Sequence, residues 1–334
     1  MNEVTTLLQA TLRAHVAPDV RVSAVARRAA GAQGYSGATL RYYDVTYARA
    51  DTTARTTLVT KEAALPERRT HTWLSDHRLP MPFGHTLDLT TDAAAPLCMQ
   101  YLEGTPMEGE RVGQAARVLA AIHHAALGRA DALPWLPRAT PALLADWVID
   151  ACWRRGWQSV LAGRGYINES GRHLGPPKPG ADFAATFAPY TRPLEDAATR
   201  FVRAMGALWA ADDALTLLHG DFHRAHVRTH AQRAAVLDWG QALYGPLYLD
   251  LPHYFSRAEA PRYRDALAAL GHAIPPDEFL ARYDAARAYV GFKYFGIGLW
   301  EWCYGDPPHR RDRVQRWIAL ALQTERDTPG KSLG

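Results

Sequence analysis

The chain has 334 residues, of which 48% are hydrophobic and 22% are charged. These proportions are typical of a soluble folded protein, and the length suits two domains or one two-lobed enzyme. The net charge of +4 comes from arginines scattered among acids. Because no long run of like charges is present, we expect no nucleic-acid partner.

The sequence shows little sign of a membrane helix, a secretory signal or a disulfide framework. The longest apolar stretch falls short of the roughly 18 residues of a membrane helix, and the opening residues lack the pattern of a secretory signal. Three widely spaced cysteines, Cys98, Cys152 and Cys303, are an odd number and do not suggest a disulfide framework. We therefore predict a cytoplasmic protein without a membrane partner.

The first third of the chain has the pattern of a small β-sheet. An amphipathic helix opens it, and glycines 31, 34 and 37 separate the first two predicted strands. The predicted strands cover residues 20–28, 39–47, 55–61, 85–88 and 97–102, with a helix over 66–77. We place the boundary between an N-lobe, 1–102, and a C-lobe, 103–334, at Glu103 and Gly104.

The rest of the chain is predicted to be mainly helical. Apolar residues recur at helical spacing over 112–127, 141–161, 194–211 and much of 247–323. A β-hairpin is predicted over 225–237. The glycine- and proline-rich segment 163–183 is predicted to be a long loop, which either covers a substrate site or is a surface insertion without a role.

Two carboxylates in the C-lobe suggest phosphoryl-transfer chemistry. Asp221 lies in the segment LLHGDFHRAH, and Asp238 follows the predicted hairpin in AAVLDWG. Phosphoryl transfer needs one group that orients and deprotonates the attacking hydroxyl, and another that holds the metal which neutralises phosphate charge. We predict that Asp221 has the first role and Asp238 the second.

These motifs resemble those of the aminoglycoside phosphotransferase and choline kinase superfamily. Its catalytic loop reads H-G-D-x-H-x-x-N, and its metal-binding aspartate lies in a later (I/L)-D-(W/F) triplet. The matching residues are His219, Gly220, Asp221 and His223 in the loop, and Leu237, Asp238 and Trp239 in the triplet. Asp250, in GPLYLDL, matches an aspartate that supports the loop in the family. The resemblance implies an α+β, bilobal, protein-kinase-like fold, and it implies that His219 and His223 shape the catalytic loop.

The chain departs from the family at His226, which replaces the metal-binding asparagine. An imidazole is a softer ligand than the amide oxygen that Mg²⁺ prefers. Three outcomes stay open: catalysis with a single metal, use of Mn²⁺ or another imidazole-tolerant ion with His226 as a ligand, or a catalytically silent nucleotide-binding protein.

Several residues upstream of the catalytic loop also fit the nucleotide-binding positions of a kinase fold. Lys61, at the end of a predicted strand, is placed where kinase folds hold the nucleotide phosphates, and Glu67 opens the next helix as its ion-pair partner. Gly34 and Ser36 would cover the phosphates, although glycines in a hairpin are also ordinary turn residues. Met99 and Tyr101 would line the adenine pocket.

A zinc site is the competing interpretation of the closely spaced histidines 219, 223, 226 and 230. It leaves the Gly-Asp and Leu-Asp-Trp motifs unexplained, so we favour the kinase. The predicted function is transfer of the γ-phosphoryl group of ATP or GTP, with Mg²⁺ or Mn²⁺, to a hydroxyl of an aminoglycoside-like antibiotic or a hydroxylated metabolite. We expect a monomer or homodimer.

Overall fold

The computed structural model describes residues 3–28, 39–102, 112–178, 182–230, 233–306 and 309–323. The chain forms two compact units, each assembled from separate segments. Unit 1 comprises residues 1–125, 134–136 and 219–242, and unit 2 comprises residues 126–133, 137–218 and 243–334. The three cysteines are free and buried. Within the described ranges, no helix combines the length and the apolarity needed to cross a bilayer.

Unit 1 is built around a five-stranded antiparallel sheet in the order β1-β2-β3-β5-β4. The strands are β1 (Arg21–Arg27), β2 (Arg41–Arg49), β3 (Thr52–Ala63), β4 (Gly84–Thr86) and β5 (Ala95–Gln100). Helix α1 (Glu3–His15) precedes the sheet, and α2 (Leu65–Asp76) connects β3 to β4. Pro66 at the start of α2 suits a helix N-terminus, because its missing N–H would have no partner there.

The two faces of the sheet differ in what they carry. Leu58, Cys98 and Tyr43 lie on one face and form a buried cluster with the apolar side of α1. Side chains alternate along a strand, so Val59 and Lys61 point to the other face. The strand register pairs Val59 with Met99 and Lys61 with Leu97, which brings Met99 onto the face that carries Lys61.

Three further elements complete unit 1. Helix α3 (Val112–Ala126) lies almost wholly within it. A short 3-10 turn (Arg224–His226) leads into a hairpin of β7 (Val227–His230) and β8 (Arg233–Val236). The backbone N–H of Val236 donates to Pro80 O at 3.1 Å, which attaches the end of this hairpin to the segment between α2 and β4.

Unit 2 is mainly helical. Its helices are α4 (Pro141–Leu144), a π-helix (Ala145–Arg154), α5 (Arg155–Leu161), α6 (Phe183–Phe187), α7 (Thr191–Ala211), α8 (Ala260–Ala269), α9 (Pro276–Ala286), α10 (Ala288–Lys293), α11 (Phe295–Tyr304) and α12 (Arg310–Leu322). Strands β6 (Leu215–Leu218) and β9 (Leu243–Pro246) pair antiparallel. Trp153 and Trp157 are buried among Phe292, Phe295 and Phe183, so they pack in the core.

Three features of unit 2 differ from the sequence prediction. The helical segment 141–161 contains ten residues of π-helix in its middle. Helical structure begins with α6 at Phe183, where the predicted loop ends, and so well before the predicted helix over 194–211. The β6 and β9 pair was not predicted, since four-residue segments such as LTLL and LYGP are too short to show the period of a strand.

Candidate active site

Lys61 is the centre of a charged cluster in unit 1. Its Nζ lies 2.5 Å from Glu67 Oε1 and donates to Asp238 Oδ1 at 2.8 Å. The side chains of Lys61 and Glu67 are each only 8% exposed, whereas that of Asp238 is 50% exposed. The β-strand places Lys61, the first turn of α2 places Glu67, and the chain just after the hairpin places Asp238.

The charges in this cluster shift one another's pKa. Burial by itself would lower the pKa of Lys61, but the carboxylates of Glu67 and Asp238 raise it above its ordinary value. Burial would raise the pKa of Asp238, and Lys61 together with nearby histidines outweighs this and lowers it. Burial raises the pKa of Glu67, which Lys61 offsets only in part. Lys61 is therefore charged at neutral pH and faces an ionised Asp238.

His219 fixes the backbone around both aspartates. It is completely buried, and its Nε2 lies 2.7 Å from Leu237 O while its Nδ1 accepts from the Asp221 N–H at 3.1 Å. A carbonyl oxygen can only accept, so Nε2 carries the proton. Through these two bonds His219 holds the residue before Asp238 and the backbone of Asp221 itself.

Gly220 is required by the same turn. Its φ of +77° lies in the left-handed region, and a Cβ at this position would overlap the carbonyl oxygen of Gln241. Both constraints leave glycine as the residue that fits between His219 and Asp221. The Gly in the motif is thus explained by backbone geometry.

The imidazole of His226 lies between the two aspartates. Its Nδ1 is 2.9 Å from the backbone oxygen of Asp221 and 3.9 Å from Asp221 Oδ2, and its Nε2 is 3.7 Å from Asp238 Oδ2. The hairpin makes this possible, because Leu237 N donates to His226 O at 2.8 Å and joins its two ends. Two acids seventeen positions apart in sequence therefore face one side chain.

Asp238 has an unusual backbone conformation. Its φ of 61° is rare for residues other than glycine, although aspartate tolerates the left-handed region better than most. With one carboxylate oxygen bonded to Lys61, the other is directed towards His226. Strained backbone of this kind is common at functional sites.

The remaining predicted site residues fall into four groups. Met99 and Tyr101 are partly buried, and Tyr101 contacts Tyr42 edge to face at 5.4 Å between ring centroids. His223 follows Asp221 by two residues, and its Nε2 lies 3.9 Å from Asp221 Oδ2. Asp250 is buried in unit 2. Gly34, Ser36 and the predicted boundary at Glu103 and Gly104 lie outside the described residues.

One residue beside the site was not anticipated from the sequence. His71 is completely buried, and its pKa is lowered to about 3 by burial and by the charge of Lys61. It follows Glu67 by four residues, a spacing that places two side chains on the same face of a helix. The four-residue spacing from Glu67 was therefore the sequence feature that could have indicated His71 as a neighbour of the site.

The family of the chain follows from comparison with known proteins. Residues 34–289 match the phosphotransferase enzyme family, and this match covers well over half of the chain. The chain therefore belongs to this family, and the predictions of the family and of a small-molecule kinase enzyme are confirmed. No curated protein matches the sequence significantly.

Solved structures share the fold at low sequence identity. A choline kinase from Cryptosporidium parvum is 9% identical, with a TM-score of 0.57 over 96% of this chain and 95% of that one. A spectinomycin phosphotransferase in complex with ADP and spectinomycin is 11% identical, with a TM-score of 0.53 over 96% and 98%. An amicoumacin kinase is 13% identical, with a TM-score of 0.51 over 99% and 96%. The predicted α+β, protein-kinase-like fold is confirmed.

Proposed function

We propose that the chain transfers the γ-phosphoryl group of ATP or GTP to a hydroxyl of a small molecule. The observation that carries this proposal is the cluster in unit 1, where Lys61 is bonded to Asp238 and His226 lies between Asp238 and Asp221. Phosphoryl transfer depends mainly on positioning and on neutralising charge, so a lysine and two placed carboxylates supply its main protein groups.

Lys61 would hold the inner phosphates of the nucleotide. An ammonium has three N–H donors, and two of those on Lys61 are directed at Glu67 and Asp238. The third is left for a phosphate oxygen, while Glu67 keeps the side chain in place. Gly34 and Ser36 would cover the phosphates, and Met99 and Tyr101 would contact the base.

Asp238 and His226 would hold a divalent cation. Asp238 suits this role because its second oxygen is not used by Lys61, and its carboxylate is a ligand that Mg²⁺ and Mn²⁺ both accept. When bound, the cation neutralises charge on the phosphates. The Asp238 carboxylate would therefore supply Mg²⁺ with a ligand oxygen, and the His226 imidazole would add a nitrogen ligand.

Asp221 would orient the acceptor hydroxyl and take its proton. Its carboxylate is 17% exposed, so it is reachable by a substrate and still held by the loop. His219 fixes its backbone, and we assign supporting roles to His223 and Asp250 as well.

The acceptor is proposed from the structural neighbours. One neighbour is a spectinomycin phosphotransferase in complex with ADP and spectinomycin, and another is an amicoumacin kinase in complex with AMP-PNP and Ca²⁺. We propose an aminoglycoside-like antibiotic or another hydroxylated metabolite as substrate, with antibiotic resistance as the biological outcome in the first case. The cytoplasmic location, the monomeric or dimeric state and the lobe boundary after residue 102 stay predictions.

Replacing Asp221 with asparagine tests the proposal. We expect D221N to lower turnover by about 10²- to 10⁴-fold, the usual contribution of a general base, while ATP affinity changes little. Substrate-dependent ADP release across a panel of hydroxylated antibiotics and metabolites gives turnover, and calorimetry gives ATP affinity. The exposed Asp92, replaced in the same way, is the control. A fully active D221N enzyme would refute the role of Asp221.

A silent nucleotide-binding protein is the alternative that His226 leaves open. It predicts ATP binding in calorimetry with Mg²⁺ or Mn²⁺, but no ADP release with any acceptor in either metal. The placement of His226 Nε2 towards Asp238 favours the active enzyme, because it keeps a ligand at the position of the missing asparagine.

A further inference from the structure

The tautomer of the neutral His226 ring is decided by its hydrogen bond. Nδ1 lies 2.9 Å from the backbone oxygen of Asp221, which can only accept, so Nδ1 donates. In the neutral imidazole Nε2 then has no proton, so its lone pair can bind a metal ion, and this atom lies 3.7 Å from Asp238 Oδ2. A ring N–H that donates to a backbone carbonyl is the usual support of a metal-binding histidine.

The neighbouring histidines are not prepared in this way. Both nitrogens of His219 are engaged by backbone groups. His223 accepts the Ala225 N–H through Nδ1 at 3.2 Å, so its Nε2 carries the proton when the ring is neutral. Asp221, His223 and His226 have potential ligand atoms within 4.8 Å of one another, but this set needs one ring to lose its present hydrogen bond. The pair of His226 and Asp238 needs no such change.

The distance between the pair is compatible with one shared ion. Ligand atoms about 2.1 Å from an ion are roughly 3.0 to 3.4 Å apart at octahedral and tetrahedral angles. The observed 3.7 Å is a few tenths of an ångström longer. Asp238 is half exposed, so its carboxylate has room for the small rotation that closes the gap.

We propose that His226 and Asp238 select Mn²⁺, or a similar first-row transition ion, over Mg²⁺. Mg²⁺ prefers oxygen ligands in a regular octahedron, whereas transition ions accept imidazole nitrogen together with carboxylate and phosphate oxygens. This inference rests on the proposed function in one respect: a bound nucleotide would supply the remaining ligands of the ion. The replacement of the asparagine by His226 then changes which ion the site binds, and it does not remove the site.

Direct metal binding tests the proposal without a turnover assay. We suggest Mn²⁺ titration followed by electron paramagnetic resonance, with and without a non-hydrolysable ATP analogue, and competition by Mg²⁺. The wild type should show coupling between Mn²⁺ and an imidazole nitrogen in pulsed spectra. In H226N this coupling should vanish, and the preference for Mn²⁺ over Mg²⁺ should fall by about 10-fold or more.

Two further variants make the result decisive. The exposed His124 on α3, replaced with asparagine, controls for adventitious binding to surface histidines and should keep the coupling and the preference. D221N should also keep the coupling, so a failure of the proposed catalysis is distinguished from a failure of this inference. Absence of nitrogen coupling in the wild type, or an equal metal preference in wild type and H226N, would overturn it.

Discussion

His71 is a buried imidazole whose ring nitrogens are not hydrogen-bonded within the described part of the chain. Neither nitrogen has a partner there, and the side chain is completely buried one turn after Glu67. Burying a polar group without a partner costs about 1 to 3 kcal/mol. Since Lys61 further disfavours a second positive charge nearby, the ring is neutral at physiological pH.

We expect H71L to stabilise the protein at pH 7 by about 1 kcal/mol, because leucine removes two unpartnered nitrogens. The gain should grow as the pH falls. In the unfolded chain the imidazole takes up a proton near its ordinary pKa of 6.5, whereas in the folded protein its pKa is lowered to about 3. The wild type therefore loses stability as the pH falls below about 6.5, at up to about 1.4 kcal/mol per pH unit, and H71L lacks this contribution.

Urea denaturation at pH 7 and pH 5 measures this difference. At pH 5 the advantage of H71L should exceed that at pH 7 by about 2 kcal/mol. The control is H124L, which removes an exposed histidine from the same unit. If H71L destabilises the protein equally at both pH values, the imidazole has a structural partner and its pKa is not depressed.

At the scale of elements, two glycines allow helices in unit 2 to pack closely. A Cβ on Gly291 of α10 would overlap the backbone of Ala321 in α12, and a Cβ on Gly298 of α11 would lie 2.5 Å from Trp317 Cδ1. Each helix axis can approach its partner only because the side chain is missing. The helical pattern of residues 247–323 predicts helices in this part of the chain, but not which residues form these crossings.

Replacing Gly291 with alanine is expected to destabilise unit 2 by about 1 to 3 kcal/mol or more, because backbone atoms cannot move aside as a side chain can. The matched control is G206A in the interior of α7. There the added Cβ would make an ordinary contact, 3.6 Å from Pro141 Cγ. Alanine should therefore stabilise that helix by about 0.5 to 1 kcal/mol.

Thermal and chemical unfolding of both variants measures these opposite effects. The interpretation of the crossing is wrong if G291A is as stable as the wild type. A destabilised G206A would instead show that Pro141 cannot accommodate a methyl group, and would leave the assignment of Gly291 intact.

At the scale of the whole molecule, the proposed site belongs to one compact unit built from separate parts of the chain. Unit 1 joins the N-terminal sheet to residues 219–242, so that Lys61 and Asp238 belong to it together. A nucleotide that contacts these residues would stabilise the folded chain by mass action, by about 2.7 kcal/mol at 100 times its dissociation constant.

We expect ATP with a divalent cation to raise the midpoint of thermal unfolding, and K61M to lose most of that increase. The quantity to compare is the increase in the midpoint that ATP causes in each variant. The midpoint itself cannot be compared, because K61M leaves two carboxylates without their cation and lowers the midpoint without any ligand. K178M, the same change at an exposed lysine, is the control and should respond to ATP as the wild type does. An undiminished increase in K61M would contradict a phosphate-binding role for Lys61.

Much of unit 1 could be predicted because its patterns are local. Alternation along β3 favours Glu67 over Glu62 as the partner of Lys61, since adjacent strand residues point to opposite faces. The structure has Lys61 beside Glu67, and it has Glu62 within 3.9 Å of Arg41. The π-helix was not predicted, because π-helical turns are rare and occur inside otherwise α-helical segments.

The sequence by itself determined the family and the fold class, and it predicted the two aspartates as site residues, since all three depend on short motifs and on the periodicity of neighbouring residues. Only the tertiary structure decided that His226 points Nε2 at Asp238, that His71 is buried beside the charged cluster, and that Gly291 meets Ala321. These properties depend on contacts between residues far apart in the chain. Local propensity and spacing contain no information about which distant atoms meet, so hydrogen bonding and packing in the folded state set them.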